Sequence, residues 1–289
     1  MSIQPPAWYD VQYNARASIP EHPAILQSWF SCSAQTRATV PCWLDLPYGR
    51  APSETLDIFA PARVRGAPVL IYIHGGYWRA LDKRDQSFVA APFVASGAVV
   101  VLPNYALAPL VSVRHIVMQL VQAVAWVHRH IAEHGGDPAR TVVAGHSAGG
   151  HLAAMMLACR WQAVAPDLPA QVVSAALALS GVFDLQPLRR APFLAPDLKL
   201  SAVEARALSP ALMPPPSRGQ LLALVGGDES EEFKRQNALI RNAWGPTAVP
   251  VCEAVPGRHH MSVLHTLAER ESRVHGLALD FLGLSRRAG

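Results

Sequence analysis

Ser147 stands in the run Gly145-His146-Ser147-Ala148-Gly149-Gly150, where residues without side chains lie two positions to either side of a hydroxyl. That spacing is the Gly-x-Ser-x-Gly nucleophile elbow, a cramped strand-to-helix turn that lifts a serine above the edge of a sheet. The glycines are required because a Cβ at either place would collide with the neighbouring strand or helix. The flanks agree: Thr141 to Ala144 is a β-branched, apolar run, and His151 to Leu157 is a good helix former. Upstream, His74-Gly75-Gly76-Tyr77-Trp78 follows a second such run, Val69 to Ile73. Attack on a carbonyl places negative charge on its oxygen, which needs backbone N–H groups already directed at it. Ala148, at the start of the helix, offers one such group, and Gly75 and Gly76 offer the others.

A serine is a weak nucleophile until a base takes its proton, and the base in turn needs a group that fixes its tautomer. The elbow therefore predicts a carboxylate and a histidine further along, each just after a later strand. Asp228, in Val225-Gly226-Gly227-Asp228-Glu229, follows the strand run Leu221 to Val225 and is the expected acid, with Asp184 as its rival. Glu229, Glu231 and Glu232 read as the acidic first turn of the next helix. Gly257-Arg258-His259-His260-Met261 supplies two histidines, and His260 is taken as the base, with His259 as the alternative should His260 only cap the following helix. His74 reads as an anchor of its own loop. Tyr77, Trp78 and His146 are candidate walls of the substrate pocket, with a place in the core as the alternative for Tyr77 and Trp78. His146 and His151 show no metal-ligand spacing and read as packed or hydrogen-bonded histidines, and no metal or organic cofactor is expected.

These side chains must be carried by alternating strands and helices from about residue 68 onward, which implies a mainly parallel sheet with helices on both faces. Strands are expected at Val69 to Ile73, Ala98 to Leu102, Thr141 to Ala144, Val173 to Leu179, Leu221 to Val225 and Val249 to Val255. Helices are expected at Ser87 to Ser96, His115 to His134, Gly150 to Cys159, Glu231 to Trp244 and His265 to Leu284. Trp43 to Phe59 reads as an antiparallel hairpin at the sheet edge. Two segments fall outside the alternation, an aromatic-bearing helical arm before residue 43 and a proline-rich insertion over 184–219. Segments of that kind tend to form lids or binding surfaces, so one domain spanning 1–289 is expected, with both contributing a small cap.

Composition narrows the function classes. Apolar residues make up 51% of the chain and charged ones 16%, which suits a large buried sheet and excludes a disordered protein. The excess of 25 basic over 21 acidic residues is scattered, so nucleic acid is not an expected partner. The four cysteines form no paired motif and read as reduced. No secretory pattern is read in Met1 to Tyr13 and no apolar stretch is long enough to span a bilayer, so a cytoplasmic protein without membrane contact is expected.

The combined motifs resemble the α/β hydrolase superfamily, and within it the serine-dependent kynurenine formamidases and related carboxylesterases, over nearly the whole chain from Tyr13 to Leu284. The neighbouring hormone-sensitive-lipase branch has a third glycine where Tyr77 stands and an aspartate where His146 stands. The His-Gly-Gly-Tyr-Trp form is similar to the formamidase-like group. The resemblance implies an α/β-hydrolase fold, a triad in the chain order Ser147, Asp228, His260, and oxyanion donors Gly75, Gly76 and Ala148. It implies hydrolysis of a small carboxylic ester or aryl formamide through a seryl acyl-enzyme. Acyl transfer to an alcohol and a non-catalytic small-ligand receptor are the alternatives on the same scaffold. A homodimer is left open.

Overall fold

The computed structural model describes residues 4–285; the outermost residues of the expected arm and of the expected 1–289 domain lie outside the described residues. The eight strands are β1 (Cys42–Pro47), β2 (Thr55–Phe59), β3 (Ala67–Ile73), β4 (Val99–Pro103), β5 (Gly136–His146), β6 (Ala175–Leu179), β7 (Gln220–Gly226) and β8 (Val251–Val255). They form one sheet in the order β1-β2-β4-β3-β5-β6-β7-β8. Pairing is parallel from β4 through β8, while β1 and β2 make the antiparallel edge. The helices are α1 (Pro6–Tyr13), α2 (His22–Thr39), α3 (Ala90–Ala95), α4 (Val113–His130), α5 (Ala148–Leu157), α6 (Trp161–Val164), α7 (Ala195–Leu198), α8 (Ala202–Ala207), α9 (Glu231–Ala248), α10 (His265–Ala268) and α11 (Arg273–Leu282).

The central strands are continuous apolar runs because both of their faces are covered. Along β3, Val69, Ile71 and Ile73 face one core, shared with α4, α5 and α9, and Leu70 and Tyr72 face the other, shared with α2, α3 and α11. Alternate side chains of one strand thus serve two layers, as the period of two requires. Among the described residues no helix is long and apolar enough to cross a membrane.

The expected helix His265 to Leu284 is two helices. Ser272 accepts the N–H of His275 at 3.0 Å and opens α11, and the intervening residues leave the helix. A serine cap overrides apolar periodicity here because it satisfies an amide that a continuous helix would otherwise hold. The expected Ser87 to Ser96 helix is likewise a 3-10 turn, Lys83–Val89, running into α3.

The arm is fastened at both ends. The Tyr13 hydroxyl donates to Glu232 Oε1 at 2.6 Å, and the side-chain oxygen of Gln12 accepts the Glu232 N–H at 3.1 Å. At the other end Arg37 pairs with the fully buried carboxylate of Asp57 in β2, which also holds Lys83 at 3.0 Å. A buried carboxylate with two cationic partners is compensated for its desolvation, so α2 is fixed against the sheet edge.

Candidate active site

Ser147 follows the last residue of β5 and precedes α5, with φ 57° and ψ −117°. Such left-handed backbone costs a non-glycine residue about 1–3 kcal/mol and persists only where the surroundings enforce it. Here the Ser147 N–H is bound to the Leu179 carbonyl at the end of β6, 2.8 Å away. The turn is as cramped as the spacing implied. A Cβ on Gly145 would sit 2.2 Å from the Gly149 carbonyl oxygen, and one on Gly149 would sit 2.0 Å from that of Ile73. Ala148 is the first residue of α5, so its N–H has no acceptor within the helix. Gly75 lies against the nucleophile, since a Cβ there would come 3.4 Å from that of Ser147.

The imidazole of His260, in the loop after β8, donates from Nδ1 to Glu229 Oε2 at 2.7 Å. This corrects the expectation for Asp228: the carboxylate on His260 is Glu229. The other Glu229 oxygen accepts the Gly226 N–H at 2.7 Å and the Ser180 hydroxyl, so the carboxylate is held at three points with no side-chain exposure. The physical reason lies in where α9 begins. Ser230 caps it by accepting the Phe233 N–H, leaving Glu231 and Glu232 as the acidic first turn and Glu229 in the preceding loop, facing inward. Asp228, its neighbour, is exposed; its N–H donates to the Arg258 carbonyl at 3.0 Å, and the residue borders an outer cleft of about 330 Å³. Asp184 is occupied locally, accepting the Gln186 N–H at 2.9 Å. His259, and not His260, does the capping, its Nδ1 accepting the N–H groups of Met261 and Ser262 at 3.2 and 3.3 Å.

With Nδ1 of His260 donating to Glu229, Nε2 is the ring nitrogen left to accept a proton. His260 and Ser147 line a common cavity of about 60 Å³, together with Gly76, Tyr77 and His146. His146 donates from Nε2 to the His260 carbonyl at 2.7 Å, and the two rings lie 4.8 Å apart. The residue before the nucleophile thus holds the backbone of the imidazole. Burial, with His260 beside it, pushes the His146 pKa down to about 3, so His146 stays neutral. Tyr77 donates its hydroxyl to the Tyr13 carbonyl and is backed edge-on by Phe193 of the insertion, 5.6 Å between centroids. Trp78 does not line the cavity, contrary to one of the two readings of its sequence position: its side chain is fully buried in the core against the ring of His151, 5.1 Å away. His74 is buried, bonded to the Gly75 carbonyl at 2.8 Å and stacked on Tyr105 at 4.2 Å, and steadies its loop. His151 bonds the Leu208 carbonyl at 2.8 Å.

Sequence reasoning missed three contributors. Leu26 and Trp29 of α2 form part of the cavity wall, and the Trp29 indole N–H is held by His265 Nε2 at 2.7 Å. Ser180, in left-handed backbone at the end of β6, orients Glu229. The only local signal for Ser180 was its place at a strand end beside a glycine, and none existed for the arm's destination.

A family model described as BD-FAE matches residues 56–191. A kynurenine formamidase of Danio rerio is 30% identical over 287 residues, covering 97% of this chain and 94% of its own length. The esterase LipQ of Mycobacterium tuberculosis is 32% identical, with 85% of this chain and 63% of that protein covered. A solved structure from Silicibacter sp. TM1040, described as a putative thioesterase, superposes with a TM-score of 0.81 at 30% identity, covering 92% of this chain and 96% of the other. An elbow serine, an oriented imidazole and full-length similarity to enzymes of this kind agree: the chain belongs to the α/β hydrolases, in the kynurenine formamidase-like and carboxylesterase branch, and is a serine-type hydrolase of esters or formamides.

Proposed function

We propose that the protein cleaves small carboxylic esters or aryl formamides through a seryl acyl-enzyme, with Ser147, His260 and Glu229 as the triad. Ser147 Oγ attacks the carbonyl carbon while His260 Nε2 takes its proton, and Glu229 steadies the resulting imidazolium. The N–H groups of Ala148, Gly75 and Gly76 receive the developing oxyanion. His260 then passes its proton to the leaving alcohol or amine, and water repeats the sequence to release the acid and restore Ser147. The observation that carries this reading is the bond from His260 Nδ1 to Glu229 Oε2, which fixes the tautomer of an imidazole sharing the cavity of Ser147. A cavity of about 60 Å³ favours a short acyl group.

Ser147→Ala is expected to lower hydrolysis of p-nitrophenyl acetate by about 1,000-fold or more while the protein stays folded by circular dichroism. Retention of most of the activity would remove Ser147 as nucleophile. Rates on N-formylkynurenine beside a panel of aryl and alkyl esters then assign the substrate: a formamide rate far above every ester identifies an arylformamidase, and the reverse identifies a carboxylesterase.

A further inference from the structure

Gln86 stands at a break in the 3-10 turn Lys83–Val89, with φ −125° and ψ 19°, and has no exposed surface. Its Oε1 accepts the hydroxyl of Tyr72, a fully buried β3 residue, at 2.7 Å. Its Nε2 is buried and has no partner among the described residues. Gln86 is also one of the residues lining the cavity that holds Ser147 and His260. A buried amide donor left without an acceptor is rare in folded proteins and destabilises them, so its presence calls for a partner.

We propose that Gln86 is a specificity-determining residue, whose Nε2 donates a hydrogen bond to an acceptor oxygen carried on the acyl chain of the substrate. This rests on Ser147 being the nucleophile. In the acyl-enzyme the acyl group is attached to Ser147 Oγ, so the space around that atom must receive it. The space is small, about 60 Å³ and partly open, and favours an acyl chain of few heavy atoms. Leu26, Trp29, Leu81 and Met261 give that space apolar walls, and beside the exposed Arg16 the lining has the buried Gln86 amide as a donor without a partner among the described residues. With Oε1 taken by the Tyr72 hydroxyl, the nitrogen is the end of the amide left without a partner among the described residues. The class of substrate that satisfies both size and donor is a short acyl group bearing an ether, hydroxyl or keto oxygen.

The test compares p-nitrophenyl methoxyacetate with p-nitrophenyl butyrate, whose acyl chains have equal numbers of heavy atoms. Each kcat/KM is divided by that ester's rate with hydroxide, which removes intrinsic reactivity. The expected result is a preference of about tenfold or more for methoxyacetate in the native enzyme, falling to near unity in Gln86→Leu among molecules whose Ser147 still reacts with a fluorophosphonate. Tyr72→Phe frees the amide to rotate and is expected to reduce the preference, and it decides the matter should Gln86→Leu fail to fold. No preference in the native enzyme, or a preference unchanged in either folded variant, would overturn the proposal. Full turnover of both esters by Ser147→Ala would instead overturn the triad on which it rests.

Discussion

His146 and His151 show how burial decides what a histidine can do. Both lie in the core, and loss of solvent pushes their pKa values down from 6.5 to about 3 and about 4. In the unfolded chain each would titrate near 6.5, so as the pH falls below that value the unfolded state gains protons that the native state does not accept. Stability is therefore complete above pH 6.5 and lost as the pH falls toward 4, at about 2 kcal/mol from each histidine at pH 5. Urea midpoints measured at pH 7 and pH 5 are expected to fall together with this loss, and a midpoint unchanged over that range would contradict the neutral, buried state of both. The same residue scale marks where sequence reading stops. Asp228 and Glu229 are adjacent carboxylates after the same strand, and spacing places both near the base. Only the start of α9, set by Ser230, turns Glu229 inward and leaves Asp228 in solvent.

At the scale of elements, β3, β4, β6 and β7 were legible because both sheet faces are covered, so each reads as an apolar run between turn signals; β5 reads so only from Thr141 onward, and β8, half-buried at the edge, carries Glu253. The arm was legible as helix and not in its destination. The contacts that place it, Tyr13 on Glu232 and Trp29 on His265, join residues more than 200 positions apart, which no local pattern encodes. The insertion over 184–219 meets the site one layer back, through Phe193 against Tyr77 and through Leu208 against His151. It is α2 that reaches the cavity, through Leu26 and Trp29. Leu26→Ala removes three carbons from this wall and is expected to raise kcat/KM for p-nitrophenyl hexanoate relative to acetate by about tenfold. An unchanged chain-length profile would show that α2 does not limit the acyl group.

Over the whole molecule, the parallel topology explains why distant residues meet. The carboxyl ends of β5, β6, β7 and β8 share one edge of the sheet, and from them come Ser147, Ser180, Glu229 and His260. Ligand sites in open parallel sheets form at that edge for the same reason. The nucleophile loop and the histidine loop announced themselves through short motifs, and the acid did not, because its identity depends on packing between β6, α9 and the last loop. Glu229, bonded to His260 Nδ1 at 2.7 Å, is the group that orients the imidazole. That role is tested most directly by kcat on p-nitrophenyl acetate for Glu229→Gln beside Asp228→Asn. A fall of about 1,000-fold or more is expected in Glu229→Gln, with Asp228→Asn within about threefold of the native enzyme; a collapse in Asp228→Asn with Glu229→Gln near native would contradict this role of Glu229.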